Sequence, residues 1–113
     1  MADHIKIRRA SGTWVVRAAG AVLGESKKAI ELSESGHDPV IYFPRSDIAM
    51  AFLERSEKTS HCPHKGDASY YSIAAKSGLI HDAAWSYETP KDHVADIAGH
   101  LAFHTDRVTV EEL

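Results

Sequence analysis

Asp67-Ala68-Ser69-Tyr70-Tyr71-Ser72-Ile73-Ala74, then Lys76-Ser77-Gly78, then Leu79-Ile80-His81-Asp82-Ala83-Ala84-Trp85-Ser86-Tyr87 is the stretch whose reading decides the fold. Two strand-like runs flank a short Gly-containing turn, the pattern of a β-hairpin. A hairpin turning near Ser77 folds the second run back along the first. Placing Ala75 opposite Leu79 sets Ser69 opposite Trp85 and Asp67 opposite Tyr87. A one-residue slip changes which face each side chain takes, but Trp85 to Pro90 stays beside Cys62 to Asp67.

Working outward, most of the chain reads the same way. His4 to Arg9 alternates, with Ile5 and Ile7 on one side, as a half-buried strand does. Ser11-Gly12 and Gly20 mark turns around a second run, Thr13 to Ala19, with Trp14, Val16 and Ala18 on one face. Ala21 to Leu23 returns as a third, so the N-terminal runs predict a meander. Lys27 to Glu34 fits a short helix or a strand, and its neighbours favour the strand. Ser35 to Pro39 is a loop, and Val40 to Phe43 a β-branched and aromatic strand that Pro44 closes. Ser46 is a suitable N-cap. Ile48, Ala49, Phe52 and Leu53 then share a helical face, so a short helix is predicted from Asp47 to about Arg55. His93 to Ala98 predicts a helical turn ending at Gly99. Leu101 with Phe103, and Val108 with Val110, alternate as two last strands. The expected fold is mainly β, a β-rich α+β domain spanning residues 1–113. It is a single compact, curled antiparallel sheet, sandwich- or tent-like, with one short helix after Ser46.

Composition narrows the function classes. The chain has 113 residues, 43% hydrophobic and 26% charged, with a formal net charge of -3. Such a chain can bury a core without staples. Its interspersed charges argue against a broad nucleic-acid surface. The single cysteine forms no internal disulfide, which fits a reducing cytoplasm. No apolar run suits a signal peptide or a membrane span, so no membrane association is expected. Neither a phosphate-binding G-x-x-x-x-G-K-[ST] loop nor a G-x-G-x-x-G fingerprint occurs, and no cofactor is expected.

Chemistry concentrates in Thr59-Ser60-His61-Cys62-Pro63-His64-Lys65-Gly66, which is expected to be a polar, reactive loop between strand-like segments. A thiolate is the nucleophilic form of cysteine and is favoured by nearby cations, so Cys62 with Lys65 or a histidine is a candidate catalytic pair. The plain alternative is an inert, packed thiol. His61, Cys62 and His64, with His81, His100 or His104, are candidate zinc ligands, but a second spaced pair is missing and no metal is expected. Arg45 suits a carboxylate or phosphate, with the N-terminus of the predicted helix assisting beside Asp47. Alternatively Asp47 caps and Arg45 pairs with it or with Glu34. Tyr70, Tyr71, Trp85 and Tyr87 group beside the cysteine stretch, and those not in the core are candidates for a ligand wall.

Four ordered blocks cover nearly the whole chain: Tyr42-Phe43-Pro44-Arg45-x-Asp47-Ile48; Cys62-Pro63-x-Lys65-Gly66-x-Ala68-x-Tyr70; Ala84-Trp85-x-Tyr87-x-x-Pro90; and Ile97 to Phe103. Together they resemble the domain-of-unknown-function family 427, and Glu34 matches an acidic residue upstream of the first block. The resemblance implies a small, mainly bacterial protein with a compact β-rich fold, related to the tent-like sheets of zinc-binding modules. It implies no established activity. A nucleotidyltransferase-like label is at times attached to that family, but the paired carboxylates of that chemistry are not found here. The paired cysteines of the zinc modules are also missing, and His64 stands where an aromatic residue is expected.

Three readings follow. The first is a pocket for a small anionic molecule, with Lys65 and Arg45 supplying charge and the aromatic residues a wall; Glu34, Asp47, Tyr70, Trp85 and Tyr87 complete its candidate residues. The second is an enzyme with Cys62 as nucleophile, tuned by Lys65. The third is an interaction module, with an exposed sheet edge forming a homodimer.

Overall fold

The computed structural model describes residues 4–113. Among them the chain runs β1 (Ile5–Arg9), β2 (Trp14–Ala18), β3 (Ala21–Ser26), β4 (Ile30–Glu34), β5 (Val40–Tyr42), β6 (Leu53–Cys62), β7 (Gly66–Ala75), β8 (Gly78–Ser86), β9 (Ala102–Phe103) and β10 (Thr109–Glu112). Short 3-10 segments cover Arg45–Asp47, Met50–Phe52 and Asp92–Ile97. The fold is β-rich, as expected, but the ladder is divided into three antiparallel sheets rather than one. Their orders are β1-β4-β5, β10-β2-β3 and β6-β7-β8-β9.

The predicted N-terminal meander holds only for β2 and β3. β1 instead pairs with β4, Ile5 opposite Glu34 and Arg9 opposite Ile30. The cause is burial. Ile5 and Ile7 pack against a cluster containing Leu32, Tyr42 and Tyr87. Val16 and Ala18 of β2 face a second cluster with Leu23, Phe43, Ile73 and Phe103. Successive residues at Tyr42/Phe43 and Ala102/Phe103 point into different clusters, as strand alternation requires. Phe43 and Leu101 exchange backbone hydrogen bonds of 2.8 and 2.9 Å, joining the first sheet to the third.

The helix predicted from Asp47 to Arg55 is not formed. Two 3-10 turns replace it, and Leu53 already opens β6. Pro44, not Ser46, precedes the first turn, and no side chain caps it. The Ala49 amide donates to Leu23 O at 2.8 Å, and Ile48 bridges Gly24, so β3 draws the backbone away from a helical path. Ile48 and Leu53 are buried as the apolar pattern required, while Phe52 is exposed.

The hairpin of β7 and β8 forms with a different register. Ala75 faces Gly78 and Ala74 faces Leu79; beyond a bulge, Tyr70 faces Trp85 and Ser69 faces Ser86. The slip opposite Ser72 is absorbed around Asp82, which takes φ 50° while its amide donates to Ser72 Oγ at 3.0 Å. β6 pairs with β7 from Leu53↔Ile73 to Cys62↔Gly66, interrupted between Arg55 and Thr59. Much of the predicted Thr59–Gly66 loop is therefore strand, and only Pro63–Lys65 turns. β6 is the outer strand of its sheet, and the interruption with Lys58 on it blunts that edge against pairing.

Candidate functional site

Trp85 and Tyr70 are opposite one another in the β7–β8 ladder, so their side chains share a face. The β6–β7 turn stands at the end of that face. The Lys65 amide donates to Cys62 O at 3.2 Å and Lys65 O accepts from the Lys91 amide at 3.0 Å, which pins the turn at both sides. Gly66 leaves it at φ 114°, a conformation that side-chain-bearing residues avoid. Glu34, the last residue of β4, meets the turn at Lys65.

These elements border a cavity of about 370 Å³, open to solvent on one side, lined by Glu34, Cys62, Lys65, Tyr70, Trp85 and Tyr87, together with Leu32, His37, Asp38, Val40, Tyr42 and His104. Six of the eight candidate residues are thus brought together. Arg45 and Asp47 lie elsewhere. The Arg45 guanidinium donates from Nε to Gly99 O (3.1 Å), from Nη1 to Tyr71 OH (3.3 Å), and from Nη2 to Glu88 Oε2 (2.8 Å) and Ser86 Oγ (3.4 Å). It ties three segments together, and its partner is Glu88 rather than Asp47 or Glu34. Asp47 accepts the Ser26 hydroxyl at 2.6 Å. No helix N-terminus stands beside Arg45, because the segment turns as 3-10.

The polar end of the cavity is an ion pair, with Lys65 Nζ donating to Glu34 Oε1 at 2.9 Å. Their side chains are 12% and 15% exposed, so the pair is shielded from screening. The Lys65 hydrogen bond holds the Glu34 carboxyl below its ordinary value despite the opposing effect of burial. Burial pushes the Tyr42 phenol up to about 12 and raises the Tyr87 phenol as well. The Trp85 indole N–H donates to Tyr42 OH at 3.3 Å. Cys62 is half-buried and packs against the Leu32, Tyr42 and Tyr87 cluster.

Sequence reasoning missed Tyr42 and His104. For Tyr42 a signal existed: alternation along Val40–Phe43 puts Val40 and Tyr42 on one face, and both line the cavity. His104 entered the sequence reading as a candidate zinc ligand. Instead its ring stacks on Tyr70 (6.3 Å between centroids, 12° between planes) and lies 4.6 Å from the Trp85 ring. Burial lowers its pKa. Nothing local in the sequence foretells that contact, which depends on where β9 ends.

Among the described residues, no three His, Cys, Asp or Glu side chains are grouped to hold a metal ion. No helix among them is long and apolar enough to cross a membrane. No curated protein matches the chain. The family model described as Domain of unknown function (DUF427) does match, over residues 6–112, and the chain belongs to that family.

Proposed function

We infer that the domain binds a small molecule bearing an acid group in the cavity between Glu34 and Trp85. The observation that carries this reading is the shielded Lys65 ammonium at one end of an aromatic-walled space. One of its three N–H groups is used by Glu34 Oε1, leaving donors for an incoming carboxylate or phosphate. Tyr42 and Tyr87 add neutral phenols to the lining. At about 370 Å³ the space lies within the ~300–1,000 Å³ common for small-molecule sites. Arg45, with its donors engaged, takes no part.

A thermal-shift screen with aromatic carboxylates and phosphates tests this. A ligand at about a hundred times its Kd stabilises by about 2.7 kcal/mol, which raises the melting temperature by several degrees. Lys65→Met should abolish the response, whereas Arg45→Lys should lower the melting temperature but leave the response intact. Equal responses in wild type and Lys65→Met would overturn the reading.

One observation favours a second reading: the Cys62 thiol lines the same cavity as Lys65. An enzyme using Cys62 as nucleophile would show iodoacetamide labelling of the folded protein with an inflection well below the free-thiol value of about 8.5. Labelling only after unfolding would eliminate it.

A further inference from the structure

We propose that the molecule recognised by this cavity carries a cationic amine as well as its acid group, and is an aromatic zwitterion of the amino-acid class. The inference rests on the acid-binding reading and specifies it by charge. Lys65 is the only Lys or Arg among the lining residues, against two carboxylates, Glu34 and Asp38. Glu34 already engages the ammonium at 2.9 Å. A purely anionic guest would share Lys65 with Glu34, whose side chain is 15% exposed, and like charges at such a shielded pair repel strongly; the exposed Asp38 adds negative charge at the rim.

A zwitterion removes the conflict. Its acid group takes the remaining Lys65 N–H donors. Its ammonium is met by the Glu34 carboxylate, whose Oε2 lies 3.7 Å from His4 Nε2. Asp38 at the rim lies among the lining residues of this cavity and of an adjoining one of about 340 Å³. Both cavities also share Val40, Trp85 and His104. A planar side chain therefore has the Trp85 ring to stack on as it extends from one space towards the other. Burial lowers the His104 pKa, which disfavours a positive charge on that ring.

Three probes of nearly one shape separate the charges: L-phenylalanine, 3-phenylpropionate, which lacks the amine, and 2-phenylethylamine, which lacks the acid. Isothermal titration calorimetry at pH 7.5 should show phenylalanine binding about tenfold or more tightly than either analogue, because a site built around a polar group penalises a ligand that lacks it. Asp38→Asn, at an exposed position where the fold is undisturbed, should narrow the gap between phenylalanine and phenylpropionate. Glu34→Gln should narrow it further if it folds. Phenylpropionate binding as tightly as phenylalanine would overturn the zwitterion while leaving the acid-binding reading in place. Phenylethylamine binding as tightly as phenylalanine, with no response to phenylpropionate, would overturn both. Absence of binding by all three probes would overturn the zwitterion, and the broader acid screen would then decide the parent reading.

Discussion

Glu34 stands at the end of β4 with its carboxylate held by Lys65 at 2.9 Å, and that contact couples the site to the stability of the fold. The Lys65 hydrogen bond lowers the Glu34 pKa from its ordinary 4.5. A carboxyl whose folded value lies below its unfolded one contributes stability above the unfolded value, and the contribution fades as pH falls through the folded one. The pair should therefore be fully stabilising above about pH 4.5 and lost in stronger acid. Glu34→Gln should lower the melting temperature at pH 7 by roughly 4–8 °C, corresponding to about 1–2 kcal/mol for a partly shielded charge left unpaired. It should also flatten the fall in melting temperature between about pH 5 and pH 3. A variant whose acid profile runs parallel to that of the wild type would show that Glu34 is not the group responsible.

At the scale of elements, one close approach governs how the second sheet meets the rest. Gly24 of β3 bridges Ile48. A Cβ on it would lie 2.5 Å from Asp47 O and 2.6 Å from Ile48 Cδ1. The first of these is backbone, which cannot rotate aside. Gly24→Ala should cost about 1–3 kcal/mol by overpacking, read as a lower urea midpoint with an unchanged slope; an effect below about 0.5 kcal/mol would refute the tight contact. This junction also explains which elements were legible. Most of the strand runs were readable from alternation, and the β7–β8 hairpin from Gly78, but β6 (Leu53–Cys62) was not, because its charged, largely exposed sequence was divided between the predicted helix and the Thr59–Gly66 loop. The helix over 47–55 was misread because its apolar spacing was real, while the hydrogen bond that breaks it comes from Leu23, some 25 residues earlier in the chain. The hairpin register was missed at the turn because Gly78 already stands opposite Ala75 instead of in the loop, and farther out because Asp82 takes a positive φ without glycine to announce it. For the site, Lys65, Cys62, Tyr70, Trp85 and Tyr87 converge because one hairpin carries or abuts them all. Arg45 was misplaced because its partners Gly99, Ser86 and Glu88 are far along the chain, and only the assembled sheets bring them to it.

For the whole molecule, the question is whether three sheets make three units or one. The larger cluster takes Val16 and Ala18 from β2, Leu23 from β3, Ile73 from β7, Ala84 from β8 and Phe103 from β9. The other takes Leu32 from β4, Tyr42 from β5, Ala68 from β7 and Ala102 from β9. β7 and β9 thus contribute to both, and neither three-stranded sheet keeps a core to itself. The chain ends are tied into separate sheets, β1 beside β4 and β10 beside β2, so opening either sheet exposes a face of the shared core. Such an arrangement should unfold in one step. The two tryptophans report on different sheets, Trp14 in β2 and Trp85 in β8. Trp14→Phe and Trp85→Phe each leave a single indole. Within each variant, urea unfolding followed by fluorescence and by far-ultraviolet circular dichroism should give one midpoint. A Trp14 transition more than about 0.5 M below the dichroism midpoint, a gap of about 0.5–1.5 kcal/mol at the ~1–3 kcal/mol/M slopes of small domains, would mean that the β10-β2-β3 sheet detaches on its own. The cavity would then be carried by the other two sheets alone.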